Sequence, residues 1–232
     1  MQKNLIRLWD FPTRIVHWML FLLAAAAFFT GLSGGNLMVW HGRLGLAILG
    51  LLTFRLVWGL IGSTYARFSQ FVRGPATILA YLRGQWHGVG HNPLGALSVL
   101  ALLGLLLFQT LSGLVANDDI AFKGPLSAVV PAQTSAWLTG LHRQTIWIIG
   151  ALVGLHVCAI LFYTFVRRDN LIQPMLNGRK GVTDPAVASA VGGGPLALIL
   201  AVALAALAVW IANGGLLPPP PPPPLPGSLP NW

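Results

Sequence analysis

Two histidines, His142 and His156, lie fourteen residues apart in an apolar stretch, and their type and spacing suit the binding of a ligand at two levels. In an α-helix this separation is a rise of roughly 21 Å and a rotation about 40° short of four turns. Both imidazoles therefore leave one helix face at different depths. An ionisable residue inside a membrane span is costly and normally faces the bundle interior at a functional site. We therefore expect two sites, each completed by a partner histidine from another helix.

The composition predicts a protein of the lipid bilayer. Hydrophobic residues make up 55% of the 232 residues and charged residues 8%, and the mean hydropathy is +0.72. These values are typical of a multi-span membrane protein. The net charge of +9 does not indicate nucleic acid, because the basic residues stand at the ends of apolar runs rather than on a soluble face. Cys158 is the single cysteine, which excludes an internal disulfide, and no C-x-x-C-H motif for covalent haem is present.

Four apolar runs are long enough to cross a bilayer, at residues 15–34, 39–62, 94–116 and 141–166. A polar loop is predicted at 117–140. If the N-terminus is cytoplasmic, three basic residues lie outside, Arg55 lies within the second span, and ten lie inside: Lys3, Arg7, Arg14, Arg67, Arg73, Arg83, Arg167, Arg168, Arg179 and Lys180. Lys and Arg accumulate in cytoplasmic loops, so this bias predicts a cytoplasmic N-terminus.

Helix direction alone sorts four histidines into two pairs. His17 opens the first span and His156 closes the fourth, so both lie at the cytoplasmic end, whereas His41 and His142 lie at the outer end. A zinc or copper site would require further Cys, Met, Asp or Glu ligands, which these spans almost lack. A haem iron needs one imidazole from each of two facing helices, and bundle cores hold such cofactors. The pairs therefore favour two haems.

Other residues near these levels have two interpretations each. Four glycines, Gly42, Gly45, Gly150 and Gly154, either let a flat macrocycle approach the backbone or simply pack helices. His91, next to Asn92, is placed to hydrogen-bond a quinone carbonyl or a haem propionate, or else to satisfy the start of the third span.

Arg55 is the one arginine deep inside a span, fourteen residues after His41 and therefore on the same helix face. The corresponding rise brings it to the level of the cytoplasmic pair. Because all five Asp residues lie outside the spans and Glu is absent, a haem propionate is the natural counter-ion. The alternative is that Arg55 extends to the cytoplasmic headgroups.

Four stretches of the chain form a recognisable set: RLWDFPTRIVHW at 7–18, FRLVWGLIGSTYARF at 54–68, GHNPLGALS at 90–98, and two Leu-His pairs in the fourth span. Through them the chain resembles, over about residues 5–178, the bacterial di-haem cytochrome b561 family, which includes b-type cytochrome subunits of nickel-iron hydrogenases. The resemblance implies an all-α integral membrane protein of the bacterial cytoplasmic membrane, a four-helix bundle with two non-covalent b haems. Its implied ligands are His17, His41, His142 and His156.

The resemblance also implies electron transfer between a quinone or quinol and a redox partner, either a c-type cytochrome or a metalloenzyme subunit. On this interpretation the chain is the electron-transfer subunit of an oxidoreductase. The alternative is a self-contained enzyme that oxidises a small donor such as superoxide and reduces quinone. Such an enzyme would need a basic funnel on the outer side, where only Arg43, Lys123 and Arg143 are available. A non-redox anchor or transporter would lack haem altogether.

The C-terminal region departs from the four-helix pattern. We predict a di-haem domain at 1–178, a flexible cytoplasmic linker at 179–194, a fifth membrane helix at 195–213 and a proline-rich periplasmic tail at 214–232. Seven consecutive prolines at 218–224 predict a stiff polyproline II rod, which either docks a partner or acts as a spacer.

Overall fold

The computed structural model describes residues 4–86, 88–120 and 122–218. In chain order its elements are β1 (Asn4–Arg7), α1 (Phe11–Ser33), α2 (Met38–Ile61), α3 (Phe68–Phe71), α4 (Pro75–Leu82), α5 (Pro93–Leu114), α6 (Ala132–Leu161), α7 (Ile172–Asn177), β2 (Arg179–Val182) and α8 (Pro195–Ala212). Within the described residues, five helices are long and apolar enough to span a membrane: α1, α2, α5, α6 and α8. The predicted helical membrane bundle with a fifth C-terminal span is confirmed.

The central helix of this bundle is α2, which packs along α1, α5 and α8. Its side chains Leu52 and Trp58 are 1% exposed, and Ala201 of α8 is fully buried in the same core. A glycine allows α8 to come close, because a Cβ at Gly50 would lie 2.9 Å from Cγ2 of Val209. α6 packs along α5, whereas its contacts with α1 and α2 in the described part of the chain are few, such as that between the rings of Trp147 and Phe28 at 6.2 Å. Since directly packed helices have axes 8–10 Å apart, a wider space separates α6 from α1 and α2.

Two membrane helices begin earlier than the sequence predicted. α1 begins at Phe11 rather than residue 15, because Asp10 caps it: the Asp10 carboxylate accepts the Thr13 backbone N–H at 2.6 Å. α6 begins at Ala132 rather than residue 141, so the predicted loop at 117–140 is wrong in its second half. Polar side chains there bond within the fold instead of to water, as when Ser135 donates to the Val115 carbonyl at 2.7 Å.

The end of the bundle at which α1 and α5 begin, and α2 and α6 finish, is called the amino-terminal end below. Asp10 holds this end together. Besides capping α1, its carboxylate accepts hydrogen bonds from the indole of Trp58, at 2.9 Å, and from the hydroxyl of Ser63. The start of α1 is thereby fixed to the end of α2.

The predicted flexible linker at 179–194 is instead tied to the amino-terminal end. β2 pairs antiparallel with β1, with Asn4 opposite Val182 and Arg7 opposite Arg179. The segment at 183–194, here called the strap, then follows the bundle to α8. Its backbone is held by Arg7, whose carbonyl accepts the Ala190 N–H at 2.7 Å. The linker prediction failed because polarity indicates exposure but does not reveal backbone pairing to a distant strand. The polyproline prediction beyond Pro218, with the tail that follows, lies outside the described residues.

Candidate functional site

The structure brings the four candidate histidines together as two pairs. At the amino-terminal end, the ring centroids of His17 on α1 and His156 on α6 are 6.5 Å apart, with an interplanar angle of 50°. At the opposite end, the centroids of His41 on α2 and His142 on α6 are 6.0 Å apart, at 84°. The two pairs form across the space that separates α6 from α1 and α2.

The spacing within each pair fits two imidazoles on opposite sides of one metal ion. A metal–imidazole bond is roughly 2 Å long, so two trans ligands have ring centroids about 6 Å apart once the distance from nitrogen to ring centre is added. Among the described residues, no group of three or more His, Cys, Asp or Glu could hold a bare metal ion. A site with only two protein ligands suits an iron whose other positions are filled by a macrocycle.

Three of the four glycines considered in the sequence face open space. A Cβ at Gly45, Gly150 or Gly154 would meet no atom within 4 Å. At Gly42, by contrast, an added Cβ would lie 3.0 Å from the ring of Phe122. Gly42 is therefore a packing glycine, whereas the other three leave room beside the ligand helices.

Each histidine of the second pair is oriented by a hydrogen bond to a neighbouring helix. Nδ1 of His41 donates to the Ala27 carbonyl on α1 at 2.9 Å, and Nδ1 of His142 donates to the Gln109 carbonyl on α5 at 2.9 Å. A carbonyl can only accept, so Nδ1 carries the proton in both rings. Nε2 is thus left with a free lone pair for a metal.

A glycine lets each of these two histidine rings come close to the neighbouring helix. Gly31 follows Ala27 by four residues and Gly113 follows Gln109 by four, so each glycine stands one turn after the accepting carbonyl. A Cβ at Gly31 would lie 2.8 Å from Cε1 of His41. At Gly113 it would lie 3.1 Å from Cε1 of His142. These two positions were not predicted. The only signal for them in the sequence is a glycine in a helix that neighbours a candidate histidine.

The histidines at the amino-terminal end are held more loosely. The hydroxyl of Ser98 on α5 lies 3.5 Å from Nδ1 of His156, the outer limit for such a bond. Nδ1 of His17 is buried and has no hydrogen-bond partner in the described part of the chain. A ligand at this level therefore depends more on the polar groups that surround it.

Arg55 is one of these groups, and it is buried rather than extended to the headgroups. Its side chain is 7% exposed, donates to the Ala66 carbonyl at 3.2 Å, and lies over the ring of Phe68 at 5.0 Å. Asp10 is near enough for the two charges to interact. Asp10 lies outside the spans, as the sequence indicated, but the cap of α1 brings its carboxylate near the end of α2.

His91 lies at the same end, between the rings of Trp9 and Phe71 at centroid distances of 4.8 and 4.6 Å. Asn92, not His91, caps α5, since its side chain accepts the Gly95 N–H at 2.7 Å. Burial, with the nearby charges of Arg55 and the His17 and His156 rings, lowers the pKa of His91 to about 3. Its neutral ring has a buried Nδ1 without a partner among the described residues, and it lines a cavity of about 350 Å³.

Comparison with known proteins identifies the architecture that carries this site. Residues 8–178 match the family model of prokaryotic cytochrome b561. The chain belongs to this family. It is similar to the "Probable Ni/Fe-hydrogenase 1 B-type cytochrome subunit" of Escherichia coli strain K12 and to that of strain O157:H7, each 24% identical over 206 residues, with 72% of this chain and 87% of the relative covered. No solved structure matches.

Membership of the cytochrome b561 family settles the broad role. The protein is a multi-pass membrane cytochrome of b type, and its function is membrane electron transfer. The matched residues include all four paired histidines, Arg55 and His91, whereas the strap and α8 lie beyond them.

The close approach at Gly31 yields a first prediction. In Gly31→Ala the added Cβ must displace the His41 ring, and overpacking of this kind costs about 1–3 kcal/mol. We expect less bound haem and an altered midpoint for the remainder, measured by haem content and optical redox titration. Gly113→Ala should have a smaller effect, because its Cβ contact is longer. The control is Gly104→Ala, where a Cβ meets nothing within 4 Å. Equal haem content and midpoints in Gly31→Ala and the control would contradict the assignment.

Proposed function

We propose that this cytochrome b561-family protein holds two b haems, one between His17 and His156 and one between His41 and His142, and transfers electrons between a quinone pool and a redox partner. The observation that supports this most is that two imidazole pairs face each other at the two ends of the bundle, with centroid distances of 6.5 and 6.0 Å. Bound haem iron supplies one-electron chemistry. The chain supplies axial nitrogens, their orientation and the surrounding charges.

The distribution of charge supports a cytoplasmic amino-terminal end in the bacterial inner membrane. Among the described residues, the loops and helix ends there carry nine basic residues, including Arg67, Arg73 and Arg83 between α2 and α5. In this orientation His41 and His142 lie at the periplasmic side. A redox partner that approaches from the periplasm would then exchange electrons nearest this pair.

The names of the two similar proteins support one class of redox partner for this chain. They describe cytochrome subunits of a Ni/Fe-hydrogenase, which supports a metalloenzyme subunit as the partner of this chain. A c-type cytochrome is the second partner class that we propose. Either would make the chain the electron-transfer subunit of an oxidoreductase.

The pairing of ligands can be tested by single substitutions. His17→Ala and His156→Ala should each remove one and the same haem, and His41→Ala and His142→Ala the other, because each pair shares one iron. Haem content and the midpoint of the surviving haem report which site is lost. Loss of the same haem from His17→Ala and His142→Ala would show that the assignment is wrong.

We also propose that Arg55 pairs with a propionate of the haem at the amino-terminal end. Its single hydrogen bond to Ala66 leaves most guanidinium donors free, and no salt bridge to it is formed by the described residues. Buried Nε atoms of Arg14 and Arg67 also lack partners in this part of the chain. These unpaired guanidinium donors at the amino-terminal end fit a ligand that brings carboxylates of its own.

Replacing Arg55 by leucine should lower the midpoint of the haem held by His17 and His156. A nearby cation stabilises the reduced iron, which carries less positive charge, and a buried cation is weakly screened. The other midpoint should stay nearly unchanged in a potentiometric titration. Arg83→Leu, the same charge change on an exposed side chain, is the matched control, and Arg55→Lys tests retention of the charge. Two unaltered midpoints in Arg55→Leu would refute the pairing.

The His91 cavity is the proposed quinone site. Its lining combines the unpaired Nδ1 of His91 with aromatic and cationic side chains, namely Phe71, Tyr65, Trp86 and Arg73. A quinone headgroup is a flat apolar ring with carbonyl acceptors, and small-molecule sites typically combine apolar walls with a few polar groups. His91 directly precedes Asn92, the cap of α5, at the end of the bundle where His17 and His156 also lie.

His91→Leu should weaken quinone binding while both haems stay in place. Removing the buried hydrogen-bonding group costs about 1–3 kcal/mol, which raises KM roughly 5- to 150-fold. The assay follows oxidation of the chemically reduced protein by a short-chain quinone, with haem content and midpoints as controls. His91→Gln retains a polar group and should lose less. Protection from chemical labelling by a quinone analogue only at the opposite end of the bundle would contradict this placement.

A further inference from the structure

The strap forms one wall of the His91 cavity. Ala186, Val187 and Ala188 line the cavity on the side of the strap, together with Tyr65 and His91 from the bundle. The region that matches the cytochrome b561 family ends at residue 178, so this wall comes from the part of the chain beyond the match.

Direct contacts hold the wall in place. The hydroxyl of Tyr65 donates to the Ala188 carbonyl at 2.7 Å, so the ring that lines the cavity also fixes the strap. Val187 packs against the buried cluster that contains Ile6 and Trp9. Trp9 in turn contacts His91 at a centroid distance of 4.8 Å. The strap therefore supports the aromatic ring on one side of His91 as well as lining the space beside it.

The far end of the strap is fixed to the end of α2. The Thr64 N–H donates to the Val191 carbonyl at 2.9 Å, and the Val191 N–H donates to the Thr64 hydroxyl at 3.2 Å. Gly193 follows with φ of +66°, and a Cβ there would lie 2.8 Å from the Trp58 ring. α8 then packs along α2 through the membrane. The strap is thus held at both ends.

We propose that the strap is a ligand-binding wall, so that Val187 and Ala188 contact the quinone headgroup and determine its affinity. This inference rests on the proposed quinone site at His91. The strap supplies small apolar side chains opposite a hydrogen-bonding imidazole, which is the combination that a planar headgroup with carbonyl oxygens needs.

A pair of matched substitutions within the strap tests this. Val187→Trp fills the cavity and should raise KM for a short-chain benzoquinone at least about tenfold, with kcat, haem content and midpoints near those of the unaltered protein. Val191→Trp is the control, because Val191 lies in the same strap, is 69% exposed and does not line the cavity. Ala188→Leu adds bulk at an exposed lining residue and should raise KM even if Val187→Trp binds haem poorly.

The outcomes separate this inference from the one on which it rests. If His91→Leu raises KM but neither Val187→Trp nor Ala188→Leu does, the strap is not a binding wall and the quinone site stands. If His91→Leu also leaves KM unchanged, the quinone site itself is wrong and the inference fails with it. If Val191→Trp raises KM as much as Val187→Trp, the effect comes from disturbing the strap rather than from filling the cavity, which contradicts the inference.

Discussion

A buried imidazole in a membrane protein requires partners for its ring nitrogens, and the end of the bundle that carries His41 and His142 is organised around this requirement. Unpaired polar groups are costly away from water. His41 and His142 meet the requirement on one side by donating to backbone carbonyls of helices that carry no ligand to the same pair. The other nitrogen of each ring, Nε2, is then left to the space between the helices. Its lone pair there is available to a metal.

The packing of the helices follows from the same constraint. α6 carries one histidine of each pair, yet it makes few contacts with α1 or α2 in the part of the chain that the structure describes. It is supported from behind by α5, and α2 is supported by α1 and α8. The space left between the two groups is where the imidazoles face each other. Gly31 and Gly113 let the rings of His41 and His142 contact the neighbouring helices α1 and α5 without widening that space further.

The sequence predicted most of this architecture because the strongest signals are long and periodic. Apolar runs of membrane length revealed the spans, the fourteen-residue spacing in α6 put two histidines on one face, and helix direction predicted which histidines would meet. The starts of α1 and α6 were misplaced, because Asp10 and Ser135 are polar residues whose partners come from elsewhere in the fold. Polarity alone does not show whether a side chain faces water or a backbone carbonyl.

Contacts between distant parts of the chain could not be predicted in the same way. The pairing of β1 with β2 joins four-residue segments more than 170 positions apart, with no periodic pattern to reveal it. The contact of Arg55 with the Ala66 carbonyl, and its nearness to Asp10, likewise depend on how α2 ends. These contacts lie at the amino-terminal end, where the histidines are held least by the backbone and where charge has the largest part in setting the properties of a bound haem.

The most direct test of two bis-histidine sites is the haem stoichiometry and axial ligation of the purified, unaltered protein. Haem extraction gives the number of b haems per chain, and near-infrared magnetic circular dichroism of the oxidised protein identifies the axial ligands. We predict two haems per chain, both with two histidine ligands. One haem per chain, or a second haem with any ligand other than a pair of histidines, would contradict this account.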